Sequence, residues 1–390
     1  MTAVSKSHLR GITWHHTRGY LPLVATAQRF SELHPEVTID WQVRSLQAFA
    51  DQPLAELAQS FDLLVIDHPS ISYAAEAGFL PLDSLLPADF LADLAANSVG
   101  ESHASYTWQA RQWALAIDAA TPVSGWREDL LVRAHASIPE TWEQLLSLAQ
   151  RGLVAVPALA IDSLMNLYML CIALGEEPFL HSGRFVGEDT GVEALRLLRA
   201  LIAACQPACL TRNPIATWEE LASGNTIAYC PFAYGYSNYS RRGYARHSVR
   251  VGSLVALQGS APLRSTLGGA GLAISRHSVY PEAAAAYAQF TASETCQSGL
   301  YFDAGGQPGH RRAWLDEEVN RRANQFFSAT LPTLDAAWVR PRFPGYLDFQ
   351  DAAAPLVHSY LAEGGAERTV IGALNDLLVR CTQSSREVRE

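Results

Sequence analysis

Two adjacent histidines and an arginine, His15, His16 and Arg18, follow Trp14 in a polar run closed by Gly19. A helix-like stretch begins directly afterwards, so free backbone N–H groups and a positive dipole end lie close by. Imidazoles and a guanidinium there suit a carboxylate or a phosphate, and equally the hydroxyls of a sugar. A solvated polar loop is the competing reading. Asp67 and His68, just before Pro69, close an apolar run. An acid in that place can accept hydrogen bonds from hydroxyl groups.

The densest local feature is aromatic: Phe232, Tyr234, Tyr236, Tyr239 and Tyr244, with Asn238 among them. A tyrosine offers a flat apolar face and a polar tip, which suits stacking on a sugar or an aromatic ligand. Alternating core packing is the other reading, and no Tyr-Tyr pair is present to suit ferric iron. Gly268 and Gly269 mark either a backbone approach to a ligand or a tight turn. They are not a dinucleotide fingerprint, because they do not open a first βα unit with an acid about 20 residues on.

Nothing assembles for catalysis. No G-x-S-x-G elbow, H-E-x-x-H helix, Walker loop or C-x-x-C pair occurs. Cys205-x3-Cys209 could be half a metal site, yet no second Cys or His pair at zinc spacing follows it. The six cysteines therefore read as buried free thiols. The expectation is a protein that binds rather than catalyses, with no cofactor and no metal.

The elements that must carry these residues alternate. Residues 9–14 read as a strand and 20–33 as a helix, stopped by Pro35. Residues 37–43 alternate with period two, 49–59 look helical, and 61–67 form a continuous apolar run suited to a parallel strand buried on both faces. Such βαβ units predict an α/β fold. A short helix is expected over 73–77, ended by Gly78, and a strand over 113–118. Beyond Trp142 the pattern turns helical, over 145–149, 163–174 and 192–203. Further strands are expected at 226–229, 250–257 and 268–275, and a helix over 281–292 with proline in its first turn. No linker or repeat is visible, so two domains would share several chain crossings.

The chain has 390 residues, enough for two domains, and a formal net charge of -10. That charge argues against a nucleic-acid partner, which needs a basic face. No signal-peptide pattern precedes the first strand, and no apolar run is long enough to span a bilayer.

Several segments in order resemble the extracellular solute-binding protein family 1, the maltose-binding-protein-like substrate-binding proteins of ABC importers. ITWHHTRG with LVATAQRFSELHPEVTID looks like the family's opening strand, ligand loop and helix. FDLLVIDHPSISYAAEAGFLPLD is similar to its D-[LV] strand and the corner after it, and QWALAIDAATPVSGWREDLL to its hinge strand. IPETWEQLLSLA, WEELASGNTIAYCPFAYGYS and TLGGAGLAISRHSVYPEAAAAYAQFTAS match later blocks, and GQPGHRRAWLDE and RPRFPGYLDFQ the last two.

The resemblance implies a type II two-lobed periplasmic-binding-protein fold, each lobe a mostly parallel sheet flanked by helices. The first lobe would take residues 1–118 and 264–312, and the second, more helical one 119–263 and 313–390. It implies hinge closure on a small polar ligand, a sugar or an acidic metabolite, with delivery to ABC-transporter membrane subunits if the protein is exported, and a monomer. Asp67 would then lie at the ligand cleft. Asp118 would be a ligand or hinge residue, or else a cap for the turn at Thr121-Pro122, and Gln307 would sit where the chain crosses back. Family members are usually exported, so the resemblance implies a periplasmic location. If Met1 is the native start, a cytoplasmic binding or sensor protein that has lost export is the alternative.

Overall fold

The first strand, β1 (Ser7–Trp14), buries alternate residues early and then every residue from Gly11 to Trp14. It is an inner strand of the first sheet in a computed structural model that describes residues 6–51, 53–73, 78–181 and 183–387. Helix α1 (Thr17–Leu33) returns the chain to β2 (Val37–Arg44), which pairs with β1 in parallel from end to end. β3 (Leu63–Ile66) pairs in parallel on the other side of β1. Its apolar run splits by period two: Leu63 and Val65 join the core under α1, while Leu64 and Ile66 join a second core with Phe79, Tyr106 and Trp113. Burial on both faces is the reason the run is continuous.

A two-strand hairpin, β4 (Thr107–Trp108) and β5 (Arg111–Gln112), precedes β6 (Leu115–Ala120). β7 (Pro122–Trp126), β8 (Tyr229–Tyr234), β9 (Arg250–Gly252) and β10 (Gly268–Ile274) complete the strands. The five-stranded sheet runs in the order β2-β1-β3-β10-β6, and a three-stranded sheet in the order β8-β7-β9.

The chain divides into two compact units, residues 1–120 with 268–321 and residues 121–267 with 322–390. The first holds the five-stranded sheet. The second holds the three-stranded sheet and long helices, among them Ala160–Ala173, Glu188–Ala204 and Tyr346–Glu363.

Some expectations need correcting. The second unit's sheet is not mostly parallel: β7 runs antiparallel to β8 and to β9, whereas in the five-stranded sheet β2, β1, β3 and β6 share one direction and β10 alone opposes them. An apolar run reports burial on two faces and is blind to strand direction, which is why the sequence pattern misses this. The helix expected over 49–59 is two, Leu46–Asp51 and Leu54–Ser60, with Pro53 between them; a proline cannot donate to the preceding turn. The strand expected over 250–257 stops at Gly252, and the one expected from 226 begins at Tyr229. Residues 74–77 of the short helix expected at 73–77 lie outside the described residues. Among the described residues no helix is long and apolar enough to cross a membrane.

Candidate functional site

Sheet direction collects most of the candidate residues at one edge of the first unit. β1, β2 and β3 are parallel, so their carboxyl ends, at Trp14, Arg44 and Ile66, share that edge. β10 is antiparallel to β3 and to β6, so the start of β10, at Gly268 and Gly269, and the end of β6, at Asp118, arrive there too. Gln307 is tied on by its side chain, whose Nε2 donates to the Ala119 carbonyl at 2.7 Å.

The centre of this edge is a buried ion pair. Arg18, 4% exposed, stands in the first turn of α1, and Asp118, 1% exposed, near the end of β6. The guanidinium grips both carboxylate oxygens: Nε donates to Oδ2 at 2.8 Å and Nη2 to Oδ1. Burial pushes the Asp118 carboxyl up, against the pull of Arg18. Tyr301, fully buried beside the pair, has its hydroxyl raised well above the usual range by burial and then by Asp118, so it stays protonated.

The loop between β1 and α1 is held from within. Trp14 is in the core, and its ring lies where a Cβ on Gly19 would come, 2.4 Å away, so only glycine lets α1 start this close. His15 is exposed. His16 is the N-cap of α1: its Nδ1 accepts the Arg18 backbone N–H at 3.0 Å, which leaves any ring proton of the neutral form on Nε2. Burial, then Arg18 and His15, lower its pKa from 6.5 to about 3. The sign follows: between about pH 3 and 6.5 the unfolded chain takes up a proton that the folded one refuses. Stability from this site is therefore complete above pH 6.5 and is lost as the pH falls towards 3. Melting temperatures against pH should show the loss in the wild type and a flatter profile in His16→Asn, which keeps a capping side chain. Equal slopes would remove His16 from the account.

Asp67 caps a short 3-10 turn, its Oδ1 accepting from the His68 N–H at 2.9 Å. His68 is fully buried, edge-on to the Tyr106 ring at 6.4 Å. Gly269 has φ +103°, and a Cβ there would fall 2.3 Å from the Asp118 carbonyl oxygen. Sequence reasoning missed Arg44. Strict period two would place Val43 inside and Arg44 outside, yet Val43 is 41% exposed and Arg44 7%. Its Nη2 donates to the Val65 carbonyl at 3.1 Å and Nη1 to Ala48 at 3.2 Å, and burial lowers its pKa to about 10. No sequence signal announces that reversal.

In the second unit, β8 carries Phe232 and Tyr234. Phe232 is 1% exposed, its ring parallel to Trp142 at 6.5 Å. Tyr234 is partly exposed, and its hydroxyl is 3.0 Å from Thr266 Oγ1. Its carbonyl accepts from Trp218 Nε1 at 2.8 Å, fixing the backbone where the strand ends. Tyr236 and Asn238 are buried in the turn that follows, Tyr236 edge-on to Tyr239 at 6.4 Å. The Tyr239 hydroxyl donates to Glu219 at 2.7 Å. Among the described residues no cluster of His, Cys, Asp and Glu could hold a metal ion.

The model of the family described as bacterial extracellular solute-binding protein matches residues 14–324. No curated protein matches. Among solved structures, T. maritima MalE3 with maltose bound superposes with a TM-score of 0.85 at 18% identity, over 95% of this chain and 99% of that one. A solute-binding protein of an ABC transporter from Agrobacterium radiobacter K84, in complex with ribitol, gives 0.82 at 18% identity over 98% and 99%. UgpB from Mycobacterium tuberculosis, in complex with glycerophosphocholine, gives 0.76 at 16% identity over 97% and 99%. At these identities the likeness shows the two-lobed α/β fold.

Proposed function

Because the chain belongs to the bacterial extracellular solute-binding protein family, we propose that its solute is a neutral polyhydroxy compound, a sugar or polyol, which it passes to the membrane subunits of an ABC importer. The family is one of binding proteins rather than enzymes. One observation carries the choice of a neutral solute: the Arg18 guanidinium is already closed, two-pronged, on Asp118. An acidic solute seeking Arg18 would have to displace a carboxylate that is itself buried in the same unit, leaving that charge unpaired. His16 is held neutral, and Arg44, though it keeps its charge, spends Nη1 and Nη2 on the Ala48 and Val65 carbonyls. Neutral hydroxyls, which both donate and accept, suit what remains. The maltose and ribitol complexes of T. maritima MalE3 and the A. radiobacter protein support the same class.

Two contact sets follow, one in each unit: the edge formed by residues 14–18, 67–68, 118, 268–269 and 307, and the turn from Tyr234 to Asn238. Calorimetric titration with maltose, ribitol, mannitol and succinate tests the reading. A neutral compound should bind and succinate should not; binding of succinate alone would sink it. For a neutral compound that binds, Tyr234→Ala should weaken affinity by roughly 10- to 100-fold through loss of the ring's face. Unchanged affinity would remove the second contact set.

A further inference from the structure

A cavity of about 580 Å³ opens on the second unit, lined by residues that the solute-binding reading does not use. It lies at the other end of the small sheet from Tyr234. Pro122 of β7 pairs with Tyr234, whereas Trp126 pairs with Tyr229 on one side and Arg250 on the other. Four residues of strand at about 3.3 Å each put the two ends about 13 Å apart.

Three guanidinium groups line the cavity, those of Arg127, Arg242 and Arg250, against the two carboxylates of Glu128 and Asp129. This is a positive excess on a chain whose net charge is -10. Both carboxylates are engaged: Asp129 takes Arg127 Nε at 2.7 Å and Nη2 at 2.8 Å, and Glu128 lies 3.8 Å from Arg250. Asn324 holds Arg250 by a second bond, accepting from Nη1 at 3.1 Å. The Arg242 side chain and the Ser248 hydroxyl, in contrast, have no hydrogen bond or ion pair among the described residues.

We propose that this cavity binds a small organic phosphate. Arg242, His247, Ser248 and Arg250 bring several donors to one cavity from the single stretch 242–250, and a tetrahedral group with three outer oxygens can meet several such donors at once. A carboxylate, with two coplanar oxygens, is satisfied by a single guanidinium fork. The volume falls in the range of small-molecule sites and exceeds what a bare phosphate fills, and Val132 supplies an apolar wall for the organic part.

The test is calorimetric titration of the full chain with glucose 6-phosphate, inorganic phosphate and glucose at low salt, repeated at higher salt. Glucose 6-phosphate should bind more tightly than inorganic phosphate, and more weakly as salt rises. Arg242→Ala, a change at an exposed residue, should weaken it by about tenfold or more, and Ser248→Ala by a smaller factor. Tyr234→Phe should leave it unchanged. The proposal is overturned if neither phosphate binds, or if Arg242→Ala binds as the wild type does. Loss of binding in Tyr234→Phe would overturn it too, since the phosphate would then be occupying the solute site. Failure of the phosphate or Arg242→Ala arms leaves the neutral-solute titrations standing, because Arg242 lies at the other end of the sheet from Tyr234.

Discussion

Asp118→Ala is expected to destabilise the first unit by about 3–5 kcal/mol, the usual consequence of stranding one buried charge. Arg18 would keep its guanidinium at 4% exposure, with its carboxylate partner removed. The loss exceeds the net worth of the pair, because desolvation of two ions opposes their attraction. The double variant Arg18→Met with Asp118→Leu should therefore lie much closer to the wild type than Asp118→Ala does. Urea unfolding followed by tryptophan fluorescence measures both. A loss below about 1 kcal/mol for Asp118→Ala would mean that the pair is far better solvated than its burial implies.

Gly269→Ala should cost about 3 kcal/mol or more, by a different mechanism. Its φ of +103° is a region where a side chain alone costs about 1–3 kcal/mol. The new Cβ would also fall 2.3 Å from the Asp118 carbonyl oxygen and 3.0 Å from Ala119 Cα, both backbone atoms that cannot swing away. Gly152→Ala is the control: φ is +73°, and nothing lies within 4 Å of the added carbon. It should cost only about 1–2 kcal/mol. Equal losses for the two would show that β6 and β10 can part freely at this point. Because β10 pairs Gly268 with Ala120, Gly269 with Ala119 and Ala270 with Asp118, the same strain would reach the proposed solute edge.

Much of the fold was legible because local chemistry repeats at short range. The helix over 281–292 matches its expected span, since Pro281 suits a first turn and the alanines that follow are good helix formers. The first strand, helix and second strand were equally plain, from period and from the proline at 35. Boundaries failed where a single residue outweighed the pattern, as Pro53 did, and strand direction failed in the three-stranded sheet because burial does not encode it.

The candidate residues divide along the same line. Residue type and position after a strand singled out Arg18, the paired glycines marked Gly269, and the family resemblance pointed to Asp118 and Gln307; ordered motifs were enough to place the chain in its family. That Arg18 and Asp118, 100 positions apart, neutralise each other is a product of sheet order, which brings the end of β6 beside the start of α1. Arg44 became buried by a local reversal at the end of β2, against the period of its own strand. Sequence alone thus nominated most of the groups proposed to meet a solute. Only the tertiary structure decided which of them keep their charge to themselves, because pairing and desolvation depend on distance in space and not along the chain.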